Sequence, residues 1–112
     1  MNLFIQESAE QDILQQVEWY AEQGLFDIAQ RFSTASVAAI EALMAMPDAG
    51  APRAIANPHL TGLRTWPVKG FGDFRIYYLV RPDLLTVVRI LHSKQDTDTI
   101  LKGQEVQKPA KH

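Results

Sequence analysis

The fold of this chain is decided by residues 62–96, which read GLRTWPVKGFGDFRIYYLVRPDLLTVVRILHSKQD. Three runs rich in β-branched and aromatic residues follow one another here, separated by glycines and by Pro82-Asp83. Such runs with turn residues between them predict consecutive antiparallel strands. Charged side chains alternate with apolar ones, so one face of the sheet should be buried while the other carries cations.

Alternation assigns the side chains of the last two strands to faces. The even positions of 74–80 are apolar and should pack against helices, whereas Arg75 and Tyr77 should point the other way. In the last strand, simple alternation puts Val88 on the same face as Ile90 and His92. We expect the second face, with its cations, to be open to solvent or to a partner.

The first half of the chain predicts one short strand and two helices. Residues 3–5 are an apolar run, and Ser8 begins a pattern typical of a helix capping box. Apolar residues then recur at helical spacing up to Gly24, and again over 27–46, where a proline follows. The two helices should form an antiparallel hairpin.

The predicted order is β-α-α-β-β-β, which indicates an α+β fold: an antiparallel sheet with the N-terminal helical hairpin packed on one face. Residues 97–102 fit either a short helix or a strand. We expect residues 1–102 to form a single domain and residues 103–112 to be a polar, disordered tail.

Composition excludes several classes of protein. The 112 residues include no cysteine, so disulfides and thiolate chemistry are absent. No apolar run is long enough for a membrane span, and the N-terminus lacks the features of a signal peptide, so we expect a cytoplasmic protein. Charge is unevenly distributed: residues 1–50 hold one base and eight acids, whereas residues 51–112 hold ten bases and five acids. The halves either neutralise one another or face different partners.

Sequence motifs for phosphate-binding loops, serine nucleophiles and zinc proteases are missing, and the three histidines lack metal-ligand spacing. What remains is a set of cations and aromatic residues on the predicted sheet, which is our candidate target- or partner-binding surface: Arg64, Trp66, Lys69, Arg75, Tyr77 and Arg89. Arginine and aromatic side chains are common at binding hot spots.

Two alternatives stay open for these residues. The arginines could simply keep an exposed sheet face hydrated. Alternatively, Arg75 could clamp a phosphate and His92 could act as general acid or base in a metal-independent ribonuclease. For His92 the competing role is that of a hydrogen-bonded histidine at the edge of the core. Trp19 and Phe26 on the helical hairpin add apolar surface that a partner helix or strand could cover.

The ordered set of motifs resembles the ParE branch of the RelE/ParE toxin superfamily over residues 3–101. That branch typically has a Leu-Arg…Val-x-Gly-Phe run, matched by Leu63–Phe71, and an aromatic-rich strand ending in tyrosine, matched by Tyr77-Tyr78. Its Arg-Val-Leu-His-Gly-x-x-Asp ending is matched by residues 89–96, with Ser93 in place of glycine.

The resemblance implies the toxin of a bacterial type II toxin–antitoxin pair. Toxins similar to ParE inhibit DNA gyrase, use no cofactor and have no catalytic residues of their own. A ParD-like antitoxin neutralises them and supplies most of the DNA contact of the complex. The acidic balance of this chain agrees, because a protein with a net charge of −2 is poorly suited to strong DNA binding by itself.

The alternative within the superfamily is a RelE-like toxin, a ribosome-dependent mRNA endoribonuclease. Arg75 and His92 fall at positions that match its catalytic residues. However, such nucleases tend to be markedly basic, and many place a tyrosine beyond the last strand, whereas no tyrosine follows Tyr78 here.

Overall fold

Five strands and three helices make up the part of the chain that a computed structural model describes, residues 1–109. In chain order they are β1 (Asn2–Ile5), α1 (Glu7–Glu22), α2 (Phe26–Ala45), β2 (Ala51–Pro52), β3 (Arg64–Val68), β4 (Phe71–Arg81), β5 (Leu84–His92) and α3 (Thr97–Lys102). Single 3-10 turns lie at Pro47–Ala49 and Pro58–Leu60. The predicted α+β class is confirmed, and residues 97–102 form a helix.

The strands form one sheet with the order β1-β5-β4-β3-β2. The two-residue loop Pro82-Asp83 joins β4 to β5, as the sequence predicts, and the strand pairs from β5 to β2 are all antiparallel. Strand β1 pairs in parallel with β5 at the other edge. Two parallel strands can be joined only by a long connection. The connection from β1 to β5 includes the helical hairpin.

The helical hairpin covers one face of the sheet, as predicted. Phe32 of α2 is fully buried, and its ring lies 4.9 Å from the ring of Phe74 and 5.2 Å from that of Phe71. The buried face of α2 also contains Ala39 and Ser36, small residues that bring the helix close to the strands. Burial of this apolar face is the main stabilising contribution to the packing of the hairpin.

The second face is not open, contrary to our expectation. Leu60 and Leu63, from the loop before β3, and Leu101 of α3 are buried against it. They form a second hydrophobic core with Tyr77 and Leu79, together with other strand residues. The alternating pattern of β4 identified the two faces correctly, but leucines distant in sequence supply the cover.

The predicted orientation of the β5 side chains is wrong because the strand contains a β-bulge. Tyr77 pairs with Arg89 but Tyr78 pairs with Val87, so Val88 is an extra residue between the two pairs. Val87 and Ile90 therefore both pack in the core under the helices, and Val88 packs in the second core. Simple alternation fails here because one added residue shifts the phase of the strand.

Tyr78 ties the loop after α2 to the centre of the sheet. Its buried hydroxyl accepts a hydrogen bond from the Gly50 N–H and donates one to the Pro47 carbonyl, both at 2.8 Å. A Cβ atom on residue 50 would lie 2.3 Å from this hydroxyl, so the close approach requires glycine. Burial raises the pKa of Tyr78 above its ordinary value of 10.0.

The segment after α3 makes contacts that differ from the prediction of a disordered tail. The side-chain amide of buried Gln6 donates to the Glu105 carbonyl at 2.9 Å and accepts from the Gln107 N–H at 2.8 Å. Val106 packs against the second core. Asn57, also buried, donates to the Leu101 and Gln104 carbonyls. Residues 110–112 of the predicted tail lie outside the described residues.

We predict that Tyr78→Phe lowers the free energy of unfolding by about 2 kcal/mol, because it leaves the buried Gly50 N–H and the partly buried Pro47 carbonyl without this partner. Urea denaturation followed by tryptophan fluorescence measures this loss. Tyr20→Phe is the matched control: it removes a phenol oxygen for which the described residues show no hydrogen bond, and it should change stability by less than about 0.5 kcal/mol. Equal losses in the two variants would contradict the role of the Tyr78 hydroxyl.

The same pair of variants has a predicted pH dependence. Because the folded pKa of Tyr78 is raised, the folded state keeps its proton at a pH where the unfolded chain has lost it. The stability that the hydroxyl contributes is complete below pH 10.0 and falls as pH rises through the folded pKa. The difference in unfolding free energy between wild type and Tyr78→Phe should therefore shrink above that pH.

Candidate functional site

The six residues of the predicted surface do not share one face. Arg64 pairs across the sheet with Tyr78, and Trp66 with Ile76, so both lie on the face that the helices cover. Arg75 and Arg89 belong to the opposite face. Five of the six lie on the neighbouring strands β3, β4 and β5, with Arg64 and Trp66 out of phase with the other three, whereas Lys69 lies in the β3–β4 turn.

Arg64 has an internal role in this structure. Its guanidinium donates to the Gly50 carbonyl at 2.7 Å and to the Asp48 carbonyl at 3.1 Å. It therefore holds the same loop as its cross-strand neighbour Tyr78. The indole of Trp66 is half-buried against the core beneath the helices.

Tyr77 and Arg89 are likewise engaged within the fold. Tyr77 is only 5% exposed and belongs to the second core. The guanidinium of Arg89 forms a two-pronged ion pair with Asp12 of α1, with both N···O distances at 2.7 Å. It also donates to the side chain of Gln104 at 3.1 Å. Little of either side chain is left for a partner.

Asp12 is a residue that the sequence analysis missed. Besides pairing with Arg89, its carboxylate accepts the Ile90 N–H at 2.9 Å. Strand β1 covers the outer edge of β5 only up to Val87, so the backbone beyond that point needs other partners. The Ser8 hydroxyl donates a hydrogen bond to the Val88 carbonyl at this edge, at 2.8 Å. The prediction that Ser8 caps α1 is wrong, because the helix begins at Glu7.

No sequence signal marks Asp12, because an acid on an amphipathic helix normally faces solvent. Its position opposite β5 depends on where β1 ends and on how α1 crosses the sheet. The sequence likewise gives no signal for Gln6 and Asn57, the buried amides that hold the C-terminal segment.

Lys69 and Arg75 are the two residues of the predicted set that remain exposed. Lys69 lies in the turn between β3 and β4, where Gly70 adopts a left-handed conformation with φ of 86°. Neither cation is within ion-pair distance of a carboxylate in residues 1–109. They are therefore the residues of the set best able to contact another molecule.

His92 lies at the end of β5 in a groove against α1. Its ring meets the Phe74 ring edge-on, with centroids 4.8 Å apart, and its Nδ1 accepts the Lys94 N–H at 3.0 Å. Trp19, Tyr20 and Lys94 also line the groove, which has a volume of about 540 Å³. His92 shares the face of Phe74, under the helices, whereas Arg75 projects from the opposite face.

Residues 1–109 hold no group of three or more histidine, cysteine, aspartate or glutamate side chains able to bind a metal ion. In the same part of the chain, every helix is too short or too polar to cross a membrane.

Comparison with known proteins assigns the family. The model for the ParE toxin of the type II toxin–antitoxin system parDE matches residues 3–97. The chain belongs to the ParE toxin family. The fold agrees: a chain from the chromosomal ParDE toxin–antitoxin system of P. aeruginosa superposes with a TM-score of 0.67 at 20% sequence identity. The match covers 82% of this chain and 95% of that one. No curated protein matches the chain in sequence.

The family match confirms the resemblance drawn from the sequence motifs. It ends at residue 97, where α3 begins, so the helix and the segment that Gln6 and Asn57 hold lie almost wholly beyond it. In this ParE protein, the cover of the second sheet face is thus partly built from residues outside the matched region.

We predict that Asp12→Asn destabilises the protein by about 2 kcal/mol, because the new amide N–H₂ must face a donor of Arg89 or Ile90. Thermal and urea unfolding provide the measurement. Asp98→Asn is the control, since the Arg53–Asp98 pair is exposed, and it should cost no more than about 0.5 kcal/mol. A loss for Asp12→Asn as small as that of the control would show that Asp12 does not secure the edge of β5.

Proposed function

We propose that this chain is a toxin that inhibits DNA gyrase and is neutralised by a cognate ParD-like antitoxin. The observation that carries the proposal is the ParE family match over residues 3–97. The solved relative from P. aeruginosa comes from a ParDE system, which supports an antitoxin as partner.

Lys69 and Arg75 are the residues that we propose for contact with a target or partner. Both are exposed, and both lack a carboxylate partner within the described chain. An unpaired surface cation can form a charge-assisted hydrogen bond with a binding partner without first breaking an internal one.

The ribonuclease alternative receives less support from the geometry. A metal-independent cleavage needs its phosphate clamp and its acid or base within hydrogen-bond reach of one phosphate group. Arg75 and His92 project from opposite faces of the sheet, and a hydrophobic core covers each face. This arrangement does not favour contact of one phosphate with both side chains.

We assign DNA contact in the complex mainly to the antitoxin. The net charge of this chain is −2, and the bases of its second half are partly used internally, as in Arg64 and Arg89. Affinity for DNA rises with the number of phosphates that a protein neutralises. Both features argue against strong DNA binding by this chain alone.

We predict that the purified chain, freed of antitoxin, stops gyrase from supercoiling relaxed plasmid and leaves linear, cleaved DNA after detergent treatment. Gel electrophoresis with the chain titrated against gyrase measures both effects. Addition of the antitoxin should restore supercoiling. Unchanged supercoiling with a folded protein would rule out gyrase as the target.

Two variants separate the gyrase and ribonuclease mechanisms. His92→Ala should keep its inhibition of gyrase, because His92 lies outside the proposed contact residues. If the chain is instead a ribonuclease, both His92→Ala and Arg75→Ala should abolish mRNA cleavage on translating ribosomes. Cleavage by the wild type that both variants lose would replace our proposal with the RelE-like mechanism.

A further inference from the structure

The two edges of the sheet differ in how they are protected against pairing with a further strand. At one edge, β2 has only two residues, and one of them is Pro52, which has no N–H to donate. At the other edge, β1 runs over Asn2–Ile5 and contains neither a proline nor a charged residue. Because short strands, prolines and charges are what block edge pairing, β1 is the edge to which another strand can add.

The pairing of β1 with β5 leaves half of the β1 backbone groups directed outwards. The N–H groups of Asn2 and Gln6 donate to backbone carbonyls of the β4–β5 turn and of β5, at 2.8 and 3.0 Å. Since alternate residues of a parallel strand bond to the same neighbour, the N–H and C=O groups of Leu3 and Ile5 point away from β5. Within residues 1–109 these four groups form no further hydrogen bond.

The outward groups of β1 are complementary to those of a second β1 that runs in the opposite direction. When Phe4 lies opposite Phe4 of the second copy, Leu3 lies opposite Ile5 of that copy and can exchange two hydrogen bonds with it. Ile5 does the same with Leu3 of the second copy. All four outward groups of each chain are then paired about a two-fold axis, as a closed dimer requires.

Apolar side chains beside the edge fit the same arrangement. Leu3 and Ile5 share one sheet face, and Leu3 is 41% exposed, so Leu–Ile pairs between two copies would cover it. Leu14 of α1 is half-exposed. It lies on the same helical stripe as Glu7 and Gln11, which line a hollow beside β1. A second copy at the edge would therefore also shield Leu14.

The hollow beside β1 contains charges of both signs. It has a volume of about 700 Å³, and its lining includes Phe4, Glu7, Glu10 and Lys108. Within residues 1–109 Lys108 forms no ion pair. A two-fold axis at Phe4 brings the hollow towards its own copy, so that Lys108 of one chain can meet acids of the other. The charges beside the edge thus favour a second copy of this chain.

We propose that two copies of this chain associate through antiparallel pairing of their β1 strands, which joins the two sheets into one. The inference is independent of the proposed target, because it uses only the geometry and chemistry of the β1 edge. An edge of four residues buries less surface than the roughly 1,600 Å² of a standard stable interface. We therefore expect a dimer with a dissociation constant of about 10 to 100 μM.

The first test removes an outward N–H group. Leu3→Pro eliminates this donor in each copy but leaves the hydrogen bonds to β5 intact, and it should raise the dissociation constant at least about tenfold. Leu3→Val is the matched control, since it keeps the N–H and an apolar side chain, and its constant should stay within about threefold of wild type. Sedimentation velocity of the purified chain, freed of antitoxin, over a series of concentrations provides the constants.

The second test fixes the register and uses the absence of cysteine from the chain. In the proposed dimer the two Phe4 residues form a non-hydrogen-bonded pair with Cα atoms about 4.5 Å apart, which suits a disulfide. Phe4→Cys should therefore be oxidised to a covalent dimer, seen on a non-reducing gel. Asn2→Cys is the control, because residue 2 lies opposite residue 6 of the second copy and the two thiols are about 13 Å apart.

The outcomes decide both the partner and the register. A wild type that stays monomeric up to about 500 μM would overturn the proposal. A dimer that Leu3→Pro does not weaken would place the interface elsewhere, and equal cross-linking of Asn2→Cys and Phe4→Cys would rule out the register. If Leu3→Pro does not fold, the two cysteine variants decide. If the chain is monomeric but antitoxin protects the Leu3 and Ile5 amides from hydrogen exchange, the edge binds an antitoxin strand and our assignment is wrong.

Discussion

The outer edge of β5 is the constraint on which the rest of this structure depends. Strand β1 pairs with β5 only as far as Val87, and the backbone of Val88 and Ile90 would otherwise lack partners. Side chains of α1 complete the edge: Ser8 donates to the Val88 carbonyl and Asp12 accepts from the Ile90 N–H. Because unpaired buried backbone groups are costly, this pairing fixes how α1 crosses the sheet. The position of α2, which packs beside α1, follows from it.

This constraint also explains why predicted surface residues became internal. The carboxylate that closes the edge of β5 is largely buried and needs a counter-charge, which Arg89 provides. Arg64 is used in the same way at the opposite side of the sheet, where it holds backbone carbonyls of the loop after α2. Two of the cations that give the second half of the chain its positive balance therefore stabilise the fold. Of the predicted set, the cations left for recognition are Lys69 in the β3–β4 turn and Arg75 on β4.

Most of the architecture could be predicted from the sequence because it rests on local patterns. Helical spacing, the turn at Pro82-Asp83 and the alternation along β4 each depend on neighbouring residues. The sheet face to which each β5 side chain points could not be predicted, because a bulge at Val88 depends on how two strands twist against each other. The cover on the second face depends on leucines distant in sequence, such as Leu60 and Leu101.

The candidate site was less predictable than the fold for a related reason. Residue type indicated which side chains could bind a partner, and Lys69 and Arg75 do remain exposed. Whether an arginine is free depends on what lies opposite it in space, and Asp12 is far from Arg89 in sequence. Family motifs identified the class of protein because they record the order of elements. They carried no information on these contacts.

Gln6 joins the segment before α1 to the segment after α3. Its amide holds the backbone of Glu105 and Gln107 at a point just before α1 begins, so the N-terminal and C-terminal segments are hydrogen-bonded to each other. Chain ends commonly fray independently of one another. Here, opening either segment removes partners from the other, so both should become accessible to proteases and to solvent exchange in one cooperative event. Loss of the Gln6 amide should therefore loosen both segments together, although Glu7 and Gln104 add two further hydrogen bonds between them.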